Sequence, residues 1–478
     1  MSAPVTRVVR RVVKKESAEP QRAPLPDEPY AGLIDVAPGA IITSEANAGL
    51  SAGDVARTAP HLLVTGQTGG GKTRSVLGPN IIRWGSRPVV AMSSKGDMAE
   101  LTIRKRAQHG PVYLMDLSGE VRESELRGID VTRVRCDPCA MITTDDEALD
   151  LADLLMETSD GGEGGGDSQF WKNLARRRLA AFLRAGGTYP NADGEPTWGG
   201  GVAWALAACE DVGDVEDKGP DPDAPVDLVT PNWDVAARRC AMLSSSHTQS
   251  LLAAKKMDAR QRDSIGINCQ SALAPWALQS LAENSAPAFL PEMLEARGAT
   301  LFLVSPMGGA AAPAASLVLV SIVNHWRKRV GKLRTILFVL DEFTNGSKIP
   351  AKRALGWIGE GRSLGVRLCM AVQGTSQIAL LWGEAATKVL REICPAILVL
   401  PGPLEKDLMD GAAWAALPEE RVTASRDASG RVSQGREKLE RSAAELIPRR
   451  KGEGRLLLSG LEGVKVSLPD IAATDLLD

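Results

Sequence analysis

His61-Leu62-Leu63-Val64-Thr65-Gly66-Gln67-Thr68-Gly69-Gly70-Gly71-Lys72-Thr73 decides the fold of this chain. A short apolar run ends at a glycine, and the next eight residues fit G-x-x-x-x-G-K-[ST] in full. From Lys72 to Trp84 the apolar spacing becomes helical. The spacing has a physical cause. A polyphosphate needs several backbone N–H groups aimed into one small concavity, and only glycine-rich backbone wraps that tightly. The helix that follows presents the positive end of its dipole to the anion. Gly66, Gln67, Thr68, Gly69, Gly70 and Gly71 are therefore the expected phosphate cradle. Lys72 is expected to reach the β- and γ-phosphates, and Thr73 to offer a hydroxyl to Mg²⁺. A glycine-rich turn without chemistry is the bland alternative, but a strand before the string and a helix after it argue against that. No Asn-Lys-x-Asp string for guanine is present, so the expected cofactors are ATP and Mg²⁺.

Outward from this string an α/β rhythm continues, with short apolar runs at Pro88 to Met92 and Pro111 to Met115 and a helix near Met98 to Arg106 between them. This reads as a mostly parallel sheet covered by helices. After about Asp145 the pattern becomes helical: Asp146 to Thr158, Phe170 to Arg184, Trp233 to Ser244, Ser250 to Arg260 and Arg262 to Glu283, with no convincing strand. Glu210 to Asp227 holds eight acidic residues, one Lys and three prolines, and reads as a loop. Strands resume at Ala299 to Val304, Thr335 to Leu340, Val366 to Gln373 and Ala396 to Leu400, interleaved with helices at Ala314 to Val330 and Ala351 to Glu360. Arg455 to Leu458 and Gly463 to Leu468 read as a closing hairpin. The expected organisation is a basic, Pro-rich flexible tail at 1–40 and a nucleotide-binding domain in two segments, 41–144 and 297–478. An all-α insertion occupies 145–296, and a polar, flexible stretch is expected near 420–450. The expected fold class is α/β: a P-loop NTPase domain with a mostly parallel sheet and an inserted all-α domain.

Ile336 to Leu340 ends in Asp341-Glu342. An acid pair closing a buried strand is common. In order after a phosphate loop, Asp341 is expected to hold Mg²⁺ and Glu342 to orient or deprotonate the attacking water. Gln373, at the end of the run from Val366, is placed to sense the γ-phosphate. Arg362, in Gly361-Arg362-Ser363-Leu364-Gly365, reads as a loop arginine able to serve a neighbouring subunit as a finger.

Composition limits the remaining choices. Hydrophobic residues make up 44% and charged residues 24%, ordinary for a globular chain. The net charge of −3 gives no global field for nucleic acid, so any such surface is a local patch. Basic residues at Arg176 to Arg178, Lys255, Lys256, Arg260 and Arg262 are the candidate patch; as solvated helix faces they would mean nothing. Aromatic residues are 4%, so stacking platforms for bases are few. Seven cysteines, with no secretory signal, read as thiols of a reducing compartment. The pair Cys136 and Cys139 has no second pair or histidines at zinc spacing and reads as two ordinary thiols. No apolar run is long enough to span a bilayer. Val5 to Lys15 mixes valine with Arg7, Arg10, Arg11, Lys14 and Lys15 and reads as a basic tail.

Several ordered motifs together resemble the VirD4/TraG-type coupling ATPases of bacterial conjugation and type IV secretion. These are Gly361-Arg362-Ser363-Leu364-Gly365-Val366-Arg367-Leu368 through Gln373, Ser376-Gln377, Trp382-Gly383, Ser93-Ser94-Lys95-Gly96-Asp97, and Phe170-Trp171 opening a helix. The likeness covers roughly residues 58–402. It implies a hexameric ring of RecA-like motors, each with an all-α domain, feeding single-stranded DNA with its relaxase, or secreted proteins, to a channel. Lys72, Thr73, Asp341 and Glu342 keep their roles under it; Gln373 takes the sensor position and Arg362 that of the trans-acting finger. Two departures stand out. Such proteins usually begin with transmembrane helices and this chain shows none, so it is expected to be cytoplasmic and to reach the membrane face through a partner. Ser93-Ser94 also replaces the usual Asp-Pro. A recruitment module for protein cargo, and an FtsK/HerA-like motor on double-stranded DNA, are the alternative readings.

Overall fold

The computed structural model describes residues 35–36, 59–159, 166–191, 193–213, 226–278, 285–306, 311–403, 405–415, 419–426, 432–439, 442–458 and 463–477. The basic tail, apart from Asp35 and Val36, and most of the acidic loop lie outside them. The chain forms two compact units, one of residues up to Arg83 with Arg367–Asp478, the other of Trp84–Val366.

In chain order the strands are β1 (Asp35–Val36), β2 (His61–Thr65), β3 (Val89–Ser93), β4 (Val112–Asp116), β5 (Val131–Arg133), β6 (Thr188–Pro190), β7 (Pro196–Trp198), β8 (Thr300–Val304), β9 (Ile336–Leu340), β10 (Val366–Val372), β11 (Ala396–Val399), β12 (Glu419–Arg426), β13 (Val432–Leu439), β14 (Glu453–Leu458) and β15 (Val464–Ser467). In the first unit β2 lies between β10 and β11, parallel to both, with Thr65 opposite Val372 on one side and Val399 on the other. β14 then pairs antiparallel with β11, β15 with β14 and β1 with β15. β14 and β15 form the closing hairpin expected from the sequence. In the second unit β9, β3, β8, β4 and β5 are consecutive parallel neighbours. β2, β3, β8, β9 and β10 are buried along their whole length. Strands covered on both faces cannot alternate apolar and polar residues, which is why each reads as a continuous apolar run.

Between β5 and β8 run the helices Asp145–Ser159, Gly166–Gly186, Gly201–Glu210, Trp233–Met242, Thr248–Lys255 and Ala259–Leu273. They centre on Gly166–Gly186, whose Leu179, Phe182 and Leu183 are fully buried. Arg239 is the polar element of this core. It lies between the rings of Tyr189 and Trp204, at 4.5 and 3.9 Å, and donates to the carbonyls of Leu228, Ala185 and Gly199.

Three expectations need correction. The insertion holds one hairpin, β6–β7, turned by Asn191, whose Oδ1 accepts from the N–H groups of Asp193 and Glu195. The helix expected over Ser250 to Arg260 ends at Lys255, because Asp258 caps a new helix by accepting from Gln261 N–H. β12 and β13 form an antiparallel hairpin inside the polar stretch near 420–450.

Candidate functional site

In the first unit three turns leave the same ends of the neighbouring parallel strands β10, β2 and β11, the edge where open α/β sheets bind ligands. The turn after β2 is the expected cradle. Gly66 N–H donates to Val372 O at 3.1 Å, and a Cβ on Gly66 would stand 2.9 Å from Leu400 Cβ. Gly69 and Gly71 have φ of 77° and 94°, the left-handed region that glycine occupies freely. Gly70 N–H donates to Gln67 O at 3.0 Å, and a Cβ at Gly70 would lie 2.9 Å from that carbonyl. Lys72 is buried and its Nζ donates to Gly66 O at 2.6 Å, so the end of the loop is tied to its beginning. The helix over Lys72–Leu77 has π winding and continues as α-helix over Gly78–Arg83; single π turns recur at functional sites. Gln67, Thr68 and Gly69 are exposed and Thr73 is half-buried. A tight glycine cradle, a buried lysine at its end and a hydroxyl on the next residue fit a triphosphate with Mg²⁺.

Gln373 directly follows β10 and is half-buried; its N–H donates to Gln377 Oε1 at 3.0 Å. The structure thus brings Gln373 to the same sheet edge as Gly66 to Thr73. The third turn, after β11, was not singled out from the sequence. Leu400 N–H continues the ladder to Thr65 O at 2.8 Å, and Gly402, with φ of 122°, lies against Gln67. The string Pro401-Gly402-Pro403 is a strong turn signal, and nothing local ties it to the cradle.

In the second unit Asp341 and Glu342 follow β9. Both are buried, each 9% exposed. Asp341 N–H donates to Met92 O at 2.8 Å, and Asp341 Oδ1 accepts from Glu342 N–H at 3.1 Å. Glu342 has φ of 51°, a conformation a side-chain-bearing residue enters at a cost of about 1–3 kcal/mol and one concentrated at functional sites. The turn after β3 lies on the neighbouring strand: Ser93 Oγ accepts from Lys95 N–H, and a Cβ on Gly96 would meet the backbone of Glu120 and Val121 at 3.1 Å. The Ser hydroxyl and the glycine thus shape this turn, and Lys95 is exposed. Ser305 Oγ, directly after β8, and Thr344 Oγ1, in the short helix Phe343–Gly346 after β9, are buried without a hydrogen-bond partner among the described residues.

Arg362 corrects an expectation. It lies in the last turn of the helix Ala351–Leu364, not in a loop, and is exposed there. The helix continues past Glu360 because its stop is Gly365, with φ of 76°, whose N–H caps the Arg362 and Gly361 carbonyls. Much of the expected basic patch is engaged internally. Arg178 is buried and donates to Leu174 O, Arg176 pairs with Asp153 at 2.8 Å, Lys255 pairs with Asp234, and Arg262 donates to the Lys255 and Met257 carbonyls. Arg177, Lys256 and Arg260 are exposed. Cys136 and Cys139 are buried thiols whose pKa is pushed up by burial, and no cluster of metal-ligating side chains occurs among the described residues. Among those residues no helix is long and apolar enough to cross a membrane.

Fold and cradle together define a P-loop protein of the RecA-like class. Residues 35–399 match the family model of the type IV secretory system for conjugative DNA transfer, and the chain belongs to that family. Solved structures agree on the fold. The bacterial conjugative coupling protein TrwBdeltaN70, in its unbound monoclinic form, superposes with a TM-score of 0.55 at 17% identity, over 87% of this chain and 86% of that one. The plasmid coupling protein TrwB in complex with the non-hydrolysable GTP analogue GDPNP gives 0.56 at 16%, over 87% of each. The complex of TrwB with ADP and Mg²⁺ gives 0.51 at 16%, over 86% of this chain and 85% of that one. None of the curated proteins matches the chain significantly.

Proposed function

We propose that this chain is an ATP-hydrolysing coupling protein that recruits single-stranded DNA with its relaxase, or a secreted protein, and drives it to a type IV transfer channel. The observation that carries the reading is the Gly66 to Thr73 cradle, closed by Lys72 on Gly66 O, in a member of the conjugative DNA-transfer family. Lys72 binds the β- and γ-phosphates through its ammonium, and the loop N–H groups hold the phosphate oxygens. Toward Mg²⁺, Thr73 would offer its hydroxyl and Asp341 its carboxylate, and the ion would supply neutralisation of charge on the phosphates. Glu342 orients water and accepts its proton, and Gln373 reports the terminal phosphate. TrwB is described with nucleotide analogues and with ADP and Mg²⁺, which supports the same ligands here. The assembly proposed is a hexameric ring, peripheral at the cytoplasmic face of the membrane through a partner.

The test is a pair of variants. Lys72→Ala should weaken nucleotide binding, whereas Glu342→Gln should retain ATP and lose turnover by about 100-fold or more, as removal of a water-activating base does. Near-normal turnover in Glu342→Gln would remove Glu342 from the mechanism. For the ring, exposed Arg362 completes the neighbour's site. Arg362→Ala alone should be inactive, and mixing it with Lys72→Ala should restore part of the activity under demonstrated subunit exchange; a mixture that stays inactive means that Arg362 acts in its own subunit's site or not at all.

A specific observation favours a second reading, recruitment of protein cargo without DNA pumping. Arg178, Lys255 and Arg262 serve their own fold, which leaves fewer cations on the insertion for a phosphate backbone. ATPase rates with single-stranded DNA, double-stranded DNA and a secreted protein separate the two. Stimulation by single-stranded DNA that weakens steeply with salt supports the motor; stimulation by protein alone supports recruitment.

A further inference from the structure

We propose that Glu405 is a positioning residue for the nucleotide reaction, fixing the Gln373 turn against the phosphate loop and passing the state of the terminal phosphate to the helix Lys406–Ala415. This rests on the reading that Gln373 reports that phosphate.

Glu405 joins two helix starts. Its carboxylate accepts from Thr375 N–H at 2.8 Å (Oε1) and from the Thr375 hydroxyl at 2.6 Å (Oε2). Thr375 is the first residue of the helix Thr375–Ile393, whose capping position is Gly374, a residue with no side chain to cap it. Glu405 supplies that cap from 30 residues away, placing a negative charge at the positive end of the helix. Its own carbonyl accepts from Met409 N–H at 3.0 Å and so starts the helix Lys406–Ala415. Both tasks fall on a residue with φ of 35°, where a non-glycine backbone is strained.

The two ends of this link touch the cradle. On one side Thr375 is two residues from Gln373, whose strand β10 ends in the carbonyl that receives Gly66 N–H. On the other, Leu400 covers Gly66, Pro401 O lies 3.7 Å from the Cβ position of Gly70, and Gly402 abuts Gln67. Arg391 reinforces the joint by donating to the Thr375 hydroxyl and, at 2.9 Å, to Asp407. Sixteen residues of straight helix would hold Arg391 about 24 Å from Thr375. The contact is possible because the chain breaks helical geometry at Gly383, with φ of 82° and ψ of 161°, and turns back. A movement of the Gln373 turn is therefore carried through Thr375 and Glu405 into Lys406–Ala415, whose Trp414 is 89% exposed.

The test measures affinity for ADP and for a slowly hydrolysed ATP analogue, with kcat, in the full chain carrying Glu405→Gln, Glu405→Asp or Thr375→Val. Glu405→Gln should leave ADP affinity within about twofold and lower kcat and the preference for the triphosphate analogue by about tenfold; the strength lost is that of hydrogen bonds to a charged acceptor. Thr375→Val should give the same split, and Glu405→Asp should restore part of it. ADP affinity and triphosphate preference unchanged with normal kcat would overturn the proposal. So would ADP affinity falling in parallel with the analogue's, since that is the mark of a purely structural cap. If Glu405→Gln changes the split while Gln373→Ala does not, the sensor reading of Gln373 fails and Glu405 positions the cradle alone.

Discussion

The turn after β2 and the turn after β11 leave adjacent parallel strands at the same edge, and they are built on opposite principles. The first is written in consecutive residues. The phosphates proposed for it would be held by backbone N–H groups, so its glycines, among them Gly69 and Gly71 with φ of 77° and 94°, must cluster within a few residues of the chain. The second works through side chains that meet partners far away: Leu400 on Gly66, and Glu405 on Thr375. A backbone-made site leaves a string that a reader can recognise; a site made of long-range contacts leaves single residues of no distinction. Neighbouring turns can therefore contribute to one reaction with very unequal visibility.

The strongest challenge to this contrast is a substitution where the two turns touch. Gly66→Ala places a Cβ 2.9 Å from Leu400 Cβ, a contact neither backbone can avoid easily. Overpacking costs about 1–3 kcal/mol, so nucleotide affinity should fall by about 10- to 100-fold. Combining it with Leu400→Ala should recover about tenfold, read by titration calorimetry. If the double variant recovers nothing, the cradle is set by its own string alone and the second turn is not part of it. Gly402→Ala should have a smaller effect. The new Cβ would come within 2.5 Å of Gln67, whose side chain is exposed and can swing away, while the φ of 122° remains unfavourable. A conformational cost of about 1–2 kcal/mol, shared between affinity and stability, predicts roughly a fivefold rise in KM. Gln67→Ala should relieve little of it, because most of the cost is in the backbone.

The same logic explains what could be read beforehand. β2, β3, β8, β9 and β10 were legible because strands buried on both faces are continuous apolar runs. Gly66 to Thr73 and the Asp341-Glu342 pair were legible as strings at strand ends. Arg362 reads from the sequence as a loop residue because glycines flank it, yet a glycine inside a helix costs only about 1 kcal/mol, and Gly365 with positive φ is the stop. β6–β7 was missed because each strand is three residues long and its turn depends on one Asn side chain. Nothing in the sequence marks Arg239 as buried between Tyr189 and Trp204; its guanidinium meets the Leu228, Ala185 and Gly199 carbonyls only once the helices are assembled. Arg106 repeats the case within the same unit, buried against the Gly85, Arg87 and Gly298 carbonyls with its pKa pushed down to about 10 by desolvation.

The smallest expected effect lies on the outer flank of the cradle. Arg74, one residue past Thr73, pairs with Asp470 through its Nε at 2.8 Å to Oδ2 and through its terminal nitrogen at 2.8 Å to Oδ1. The geometry is bidentate, but the two side chains are 49% and 39% exposed. Water screens such a pair, and exposed pairs contribute about 0–1 kcal/mol. Arg74→Ala should thus lower stability by no more than about 1 kcal/mol and leave nucleotide affinity nearly unchanged, in contrast to the losses expected at Gly66 and Gly402. Its pH signature has a definite sign. The Arg74 hydrogen bond holds the Asp470 carboxyl below its ordinary value, so the unfolded chain takes up this proton first as pH falls. The stabilisation is complete above the unfolded carboxylate pKa of about 3.9 and disappears as pH drops through the lower folded value. The matching rise in Arg74 pKa affects stability only at strongly alkaline pH. Melting curves at neutral and acid pH should therefore differ between Arg74→Ala and the parent near neutrality and converge in acid. One molar salt, with a Debye length of about 3 Å, should close the gap at pH 7 as well. A gap of several kcal/mol that survives salt would mean that this flank, too, is held by a long-range contact the cradle cannot do without.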